Sequence, residues 1–150
     1  MESNETAREL LREADRAEAA PWVDFPPTPA WYPASVGVWG AALTLALGVL
    51  DGMWGALATL ALVLLEVAFL RWYRAYRGTM PRGAMPQEMR RPALLLATGL
   101  VAIVVAAGAL VMVGQPWVGA AVVLVSATPL TWWYERAYAA AAEAARVRLG

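Results

Sequence analysis

The sequence predicts an all-α integral membrane protein: a four-helix bundle made of two helical hairpins, with a short N-terminal amphipathic helix and a helical C-terminal extension. Three observations carry this. Four apolar runs, at about 34–50, 53–70, 93–113 and 117–133, are each 17 to 21 residues long. At about 1.5 Å rise per residue, each is long enough to cross a hydrocarbon core about 30 Å thick. All twelve basic residues are arginines, all lie outside those runs, and no charged residue occurs between Arg91 and Glu135. At 60% hydrophobic and 16% charged over 150 residues, the chain is too apolar for an ordinary soluble domain and too short for a second domain beside four spans.

Residues 1–30 form the first unit. Residues 5–20 read as an amphipathic helix, with Thr6 and Glu9 spaced as a capping box and Ala7, Leu10, Leu11, Ala14 and Ala17 at helical spacing. From Glu2 to Ala20 six acids outnumber three arginines, so the segment suits anionic lipid poorly. It is either a solvated helix or one that docks on another protein segment, the C-terminal helix being a candidate. Pro21 is expected to end it, and Phe25-Pro26-Pro27-Thr28-Pro29 to follow as extended linker.

Residues 31–134 form the four-span unit. Trp31 and Tyr32 precede the first span as interfacial anchors, with Pro33 suited to a first helical turn. Asp51-Gly52 and Gly114-Gln115-Pro116 are short turns joining the spans in pairs, and residues 71–92 form a loop between the pairs. Trp54, Trp72, Tyr73, Trp117, Trp132, Trp133 and Tyr134 stand at the ends of the second and fourth spans. Matched Trp-Tyr endings at Trp72-Tyr73 and Trp133-Tyr134 fit either a duplicated hairpin or the aromatic belt of any span. Residues 135–150 are alanine-rich and continue as a helical tail. Both short turns lack arginine, whereas both termini and the 71–92 loop carry it. The positive-inside rule then puts both termini in the cytoplasm of a multi-pass plasma-membrane protein.

Function classes narrow by elimination. The chain has no cysteine, histidine or lysine. Disulfides, the usual zinc and iron ligand sets, and most nucleophile and general-base schemes are therefore closed to it. No metal, cofactor or enzyme activity is expected. Arginines interleaved with Trp72, Tyr73 and Tyr76 can bind nucleic acid, but beside a span the same residues serve as topology signal and interfacial belt. Nucleic acid is not an expected partner. Met80, Met85 and Met89 in the same loop are too few for a copper site.

Glu66 is the one ionisable residue well inside a span. Five residues before Arg71, it lies about 7 to 8 Å from the charged boundary. A carboxylate there must pair, snorkel, face other helices or carry a proton. Counting inward from each boundary puts Thr98 and Thr128 in its layer, with Ser126 a little deeper and Pro129 freeing the Val125 carbonyl. The expected polar site is thus Glu66, Thr98, Ser126 and Thr128, either titrating or binding a cation, or fixing helix register. Gly40, Thr44 and Gly48 on the first span, and Thr98, Ala102 and Ala106 on the third, recur every four residues as faces for close packing within the chain or between copies.

The arginine- and glutamate-bearing N-terminal helix, Pro29-Ala30-Trp31-Tyr32-Pro33 and Trp133-Tyr134-Glu135-Arg136-Ala137-Tyr138 together resemble small four-span actinobacterial integral membrane proteins. Arginine in place of every lysine agrees with a GC-rich bacterial genome. That resemblance implies a lineage and no activity. The functional expectation is a non-enzymatic membrane protein acting through helix–helix association with itself or a membrane-protein partner, its other partner being the lipid bilayer. A small transporter or channel subunit using Glu66 is the alternative.

Topology is directly testable because the chain lacks cysteine. Single cysteines at Asp51 and Gln115 should react with an impermeant maleimide added outside intact cells, and one at Arg91 should not. Protection of both turns would invert the assigned orientation.

Overall fold

The computed structural model describes residues 2–24, 26–77 and 85–149. These form five helices and no strand: α1 (Glu2–Val23), α2 (Tyr32–Val49), α3 (Gly52–Arg77), α4 (Gln87–Met112) and α5 (Pro116–Leu149). The last four are long and apolar enough to cross a membrane.

Several boundaries differ from expectation, each for a local reason. The first helix is already formed at Glu2, so Thr6 lies inside it and not at its cap. It also runs through Pro21 to Val23. The missing proline N–H costs one backbone bond. That loss is offset because Asp24 N–H closes the final turn on Ala20 O at 2.8 Å and Val23 is buried against α5.

The loop expected over 71–92 is consumed from both sides. Helix α3 continues two turns past Leu70, carried by aromatic packing at Phe69, Tyr73 and Tyr76. Helix α4 begins at Gln87, ahead of Pro92, which therefore sits within the helix and does not open it. Met80, Pro81 and Arg82 lie outside the described residues. The fourth span and the tail are one 34-residue helix containing Pro129, about 51 Å long at the standard rise.

The two turns are closed by glycine in the left-handed region. Gly52 has φ 57° between extended Leu50 and the first turn of α3. At the other turn Gly114 has φ 77°, its N–H bonds Val111 O at 3.0 Å, and Gln115 N–H bonds Leu110 O at 2.8 Å. That pair of bonds is a Schellman ending, and Pro116 then supplies the first residue of α5 without wasting a donor.

Packing is unequal. Helix α5 is the axis: α2 and α4 lie along it and touch each other slightly, and α1 docks on its tail. Helix α3 packs on α2 and on no other helix. A Cβ built on Gly37 would overlap Thr128 Oγ1 and stand 3.2 Å from Leu124 O. One on Gly40 would lie 2.8 Å from Val123 Cγ1, and one on Gly48 2.6 Å from Pro116 Cβ. The Gly40-Thr44-Gly48 face, extended back to Gly37, is thus the intramolecular seam with α5. The α4 seam runs through Gly99, Ile103, Ala107 and Leu110 against Leu130, Val123, Ala127 and Gly119. It is one residue out of register with Thr98, Ala102 and Ala106, which remain exposed.

The Gly37 contact gives a prediction. Alanine favours a helix over glycine by about 0.5–1 kcal/mol, but forcing a methyl into a closed contact costs about 1–3 kcal/mol. Gly37→Ala should therefore lower the unfolding midpoint in detergent, whereas Gly108→Ala, with open space around it, should hold or raise it. Circular dichroism during thermal or denaturant titration distinguishes the two.

Candidate functional site

Chemistry-bearing side chains gather at the arginine-bearing end in two assemblies. The first clasps α2 to α3. Tyr32 packs against both Phe69 and Tyr73, with centroids 5.8 Å from each and ring planes within 16° and 12° of parallel, and those two rings lie 5.7 Å apart. Trp31 lies 5.5 Å from Trp72, which stacks 5.4 Å from Tyr76. Offset and edge contacts of this kind add about 0.5–1.5 kcal/mol each beyond area burial. The linker is drawn in as well: Tyr76 O–H donates to Pro27 O at 3.0 Å, and Thr28 O–H to Glu135 Oε2 at 2.5 Å.

Below the clasp, α2 and α3 part to form a groove of about 440 Å³, lined among others by Trp31, Tyr32, Ser35, Trp39, Glu66 and Phe69. Along α3, Gly55, Thr59, Leu62, Glu66, Phe69 and Tyr73 alternate spacings of four and three, the seam of a helix facing a single partner. The other seam positions are uncharged, Trp39 Nε1–H donates to Leu62 O at 3.1 Å, and a second opening of about 500 Å³ lies nearer the turn, beside Ala46, Leu50, Gly55 and Thr59. Glu66 occupies the seam but is exposed, and among the described residues it makes no hydrogen bond or ion pair. Neither Arg71 nor Arg74 reaches it.

The second assembly packs α1, the start of α4 and the tail of α5 together. Val23, Met89, Tyr138, Ala141, Ala142 and Ala145 form a buried cluster with Trp22, Met85 and Tyr134 against it, and Met89 is fully enclosed. Tyr138 O–H donates to Trp22 O at 2.9 Å. Arg146 donates to Val23 O, a free carbonyl at the end of α1, and stands 3.6 Å from Asp24. Arg148 Nε bonds Glu88 Oε1 at 2.7 Å. The N-terminal helix is therefore docked at its end on the C-terminal helix.

The four residues expected to share a polar layer are not brought together. Glu66 stands on α3, which touches neither α4 nor α5. Thr98 faces outward on α4, its hydroxyl bonded to the Leu94 carbonyl of its own helix. Thr128 is turned onto Gly37, and its Oγ1 is buried without a hydrogen-bond partner. Ser126 is half-buried on α5. Trp31, Tyr32, Trp72 and Tyr73 hold α2 and α3 together, Tyr134 packs 5.7 Å from Tyr138, and Trp132 carries the Arg136 guanidinium 3.8 Å above its ring. Trp54 and Trp117 stand exposed beside the two turns, and Trp133 is exposed on α5. Trp39 and Phe69 are central to the first assembly and were not singled out from sequence, while Met89 and Tyr138, central to the second, entered there only as a loop methionine and as part of an interfacial motif. The four-three spacing through Glu66 would have exposed Phe69.

Searches against protein-family models, curated proteins and solved structures match nothing to this chain.

The Glu88 carboxyl is held below its ordinary value of 4.5, first by its own backbone N–H in the opening turn of α4 and then by the Arg148 hydrogen bond, against a smaller opposing effect of burial. A depressed carboxylate contributes stability that is complete above its unfolded value and is lost as pH falls through the folded one. Docking of the α5 tail on α4 should therefore be unaffected from neutral pH down to 4.5 and loosen below it. Amide hydrogen exchange across the α5 tail measures this, and Glu88→Gln should reduce the pH dependence.

Proposed function

We propose that this chain is a non-enzymatic, multi-pass integral membrane protein of a bacterial plasma membrane, with both termini cytoplasmic, acting through helix–helix association in the bilayer. The observation that carries it is the outward face of α4. Thr98, Ala102 and Ala106 repeat every four residues and are exposed. A matching stripe on α2 lies in close contact with α5 within the same chain. In lipid, apolar area alone does not drive helices together; close backbone approach at small residues does. An unused stripe of that kind, with its one hydroxyl already satisfied, suits a second copy or a membrane-protein partner.

The α1–α4–α5 assembly supports this reading, because it fixes both ends of the chain on one body and so holds the α4 face in a set direction. A small transporter or channel subunit working through Glu66 is the second reading. Within one copy it lacks a polar route, since α3 packs on α2 alone and the groove beside Glu66 is largely apolar.

Crosslinking decides between them. In membranes, Ala102→Cys should form a disulfide-linked dimer on mild oxidation, and Leu64→Cys on α3 should not. Filling the stripe with Ala102→Leu should shift the protein toward monomer in single-molecule photobleaching. A protein that is monomeric throughout, and that copurifies with no other membrane protein in mild detergent, removes the association reading.

A further inference from the structure

We propose that the groove between α2 and α3 binds a lipophilic organic monocation, its charge held by the Glu66 carboxylate and by the aromatic side chains around it. The inference rests on the membrane-spanning reading but not on association through α4.

Glu66 occupies a position that the four-three spacing assigns to contact with α2, yet the helices part there and leave about 440 Å³. That volume suits a small organic molecule. Its walls include the side chains of Trp31, Tyr32, Trp39 and Phe69, and Glu66 is the one ionisable carboxylate among them. Among the described residues, no arginine lines the groove and none pairs with Glu66. The groove therefore sets one carboxyl group in apolar and aromatic surroundings, with no cationic side chain beside it among the described residues.

Candidate occupants differ in what they leave unmet. A hard inorganic cation wants six or more oxygen ligands, and this groove offers the carboxylate and little beyond the Ser35 and Tyr32 hydroxyls. A zwitterionic lipid headgroup brings a phosphate, for which the lining has no cation. A neutral amphiphile leaves the carboxylate unanswered. An organic cation with diffuse charge loses little hydration on entry, pairs with the carboxylate and gains from aromatic faces, whose attraction for cations grows when water is excluded. Entry is lateral, because Leu65, Glu66 and Leu70 are exposed along α3.

The test uses the full chain and radiolabelled tetraphenylphosphonium in equilibrium binding, with empty discs and empty micelles subtracted. Comigration of protein with phosphatidylcholine nanodiscs is measured first, so that failed insertion is seen separately. Binding should saturate, and with similar affinity in phosphatidylcholine nanodiscs and in maltoside micelles. Glu66→Gln should weaken it by roughly ten-fold or more, and Tyr32→Leu by several-fold with the carboxylate kept. Retained helical signal qualifies each variant, and the disc-against-micelle comparison decides on the unaltered protein if a variant fails to fold. Binding in micelles that vanishes in phosphatidylcholine would mean that the zwitterionic headgroup fills the groove, and overturns the proposal. So does unsaturable uptake equal to empty discs, or wild-type affinity in both variants. A dimer that Glu66→Gln dissociates, with no cation bound to the intact protein, would assign the groove to a second copy and equally overturn it.

Discussion

How closely α2 can approach α5 governs the rest of the molecule. At Gly37 the two backbones come near enough that a single methyl group would collide with Thr128. Gly40 and Gly48 continue the contact toward the turns. In water, burying apolar area would favour many packings of four greasy helices. In hydrocarbon that term nearly vanishes, and geometry decides. Glycine contacts are the geometry available, so the helix bearing them is the one that docks. Helix α5 then becomes the axis, and α4 joins it through Gly99 and Gly119 by the same device.

Helix α3 follows from what remains. It meets α2 near the turn at Gly55, in the middle through the Trp39–Leu62 bond, and at the aromatic clasp. At the turn, Gly55 packs over the Leu50 carbonyl; at the arginine-bearing end, aromatic rings close the gap. Between them Glu66 prevents an apolar seam. A carboxylate cannot take the place of a packed leucine without losing its hydration, and no partner across α2 compensates for that loss. A second opening of about 500 Å³ lies between the same helices near the turn, with no charged residue in its lining, so Glu66 accounts for the polarity of the groove and not for the parting itself.

Much of this was legible in the residues and some was not. Four apolar runs and two arginine-free turns are one-dimensional facts, and helices of the expected order appear at those places. Helix ends were less legible where packing outweighs local propensity: Pro21 and Pro92 both lie within helices because Val23 and Met89 are buried in the α1–α4–α5 assembly. The polar layer was inferred from depth alone. Depth places Glu66, Thr98 and Thr128 at one height but says nothing of azimuth, and azimuth separates them. The Gly40-Thr44-Gly48 stripe and the Thr98-Ala102-Ala106 stripe look alike as strings, yet only the first lies in an internal seam. Which stripe is used depends on the residue opposite, and a single sequence does not align helices against one another.

Contact in this chain is therefore allocated by shape and by polar need, not by apolar area. On the proposed membrane-spanning reading, an uncovered leucine face on α3 costs nothing in lipid and does not by itself call for a partner. A carboxylate about 7 to 8 Å below the charged boundary does carry a cost, which snorkelling toward that boundary reduces without removing. The small-residue face of α4 differs from both, since on the association reading it offers close contact that no helix of this chain takes up among the described residues. Two unspent features of different kinds, one electrostatic on α3 and one steric on α4, lie on helices that do not touch each other. Occupying the groove need not disturb the α4 face, and pairing through α4 leaves the groove open. Any coupling between them must pass through α2 and α5, across the Gly37–Thr128 contact.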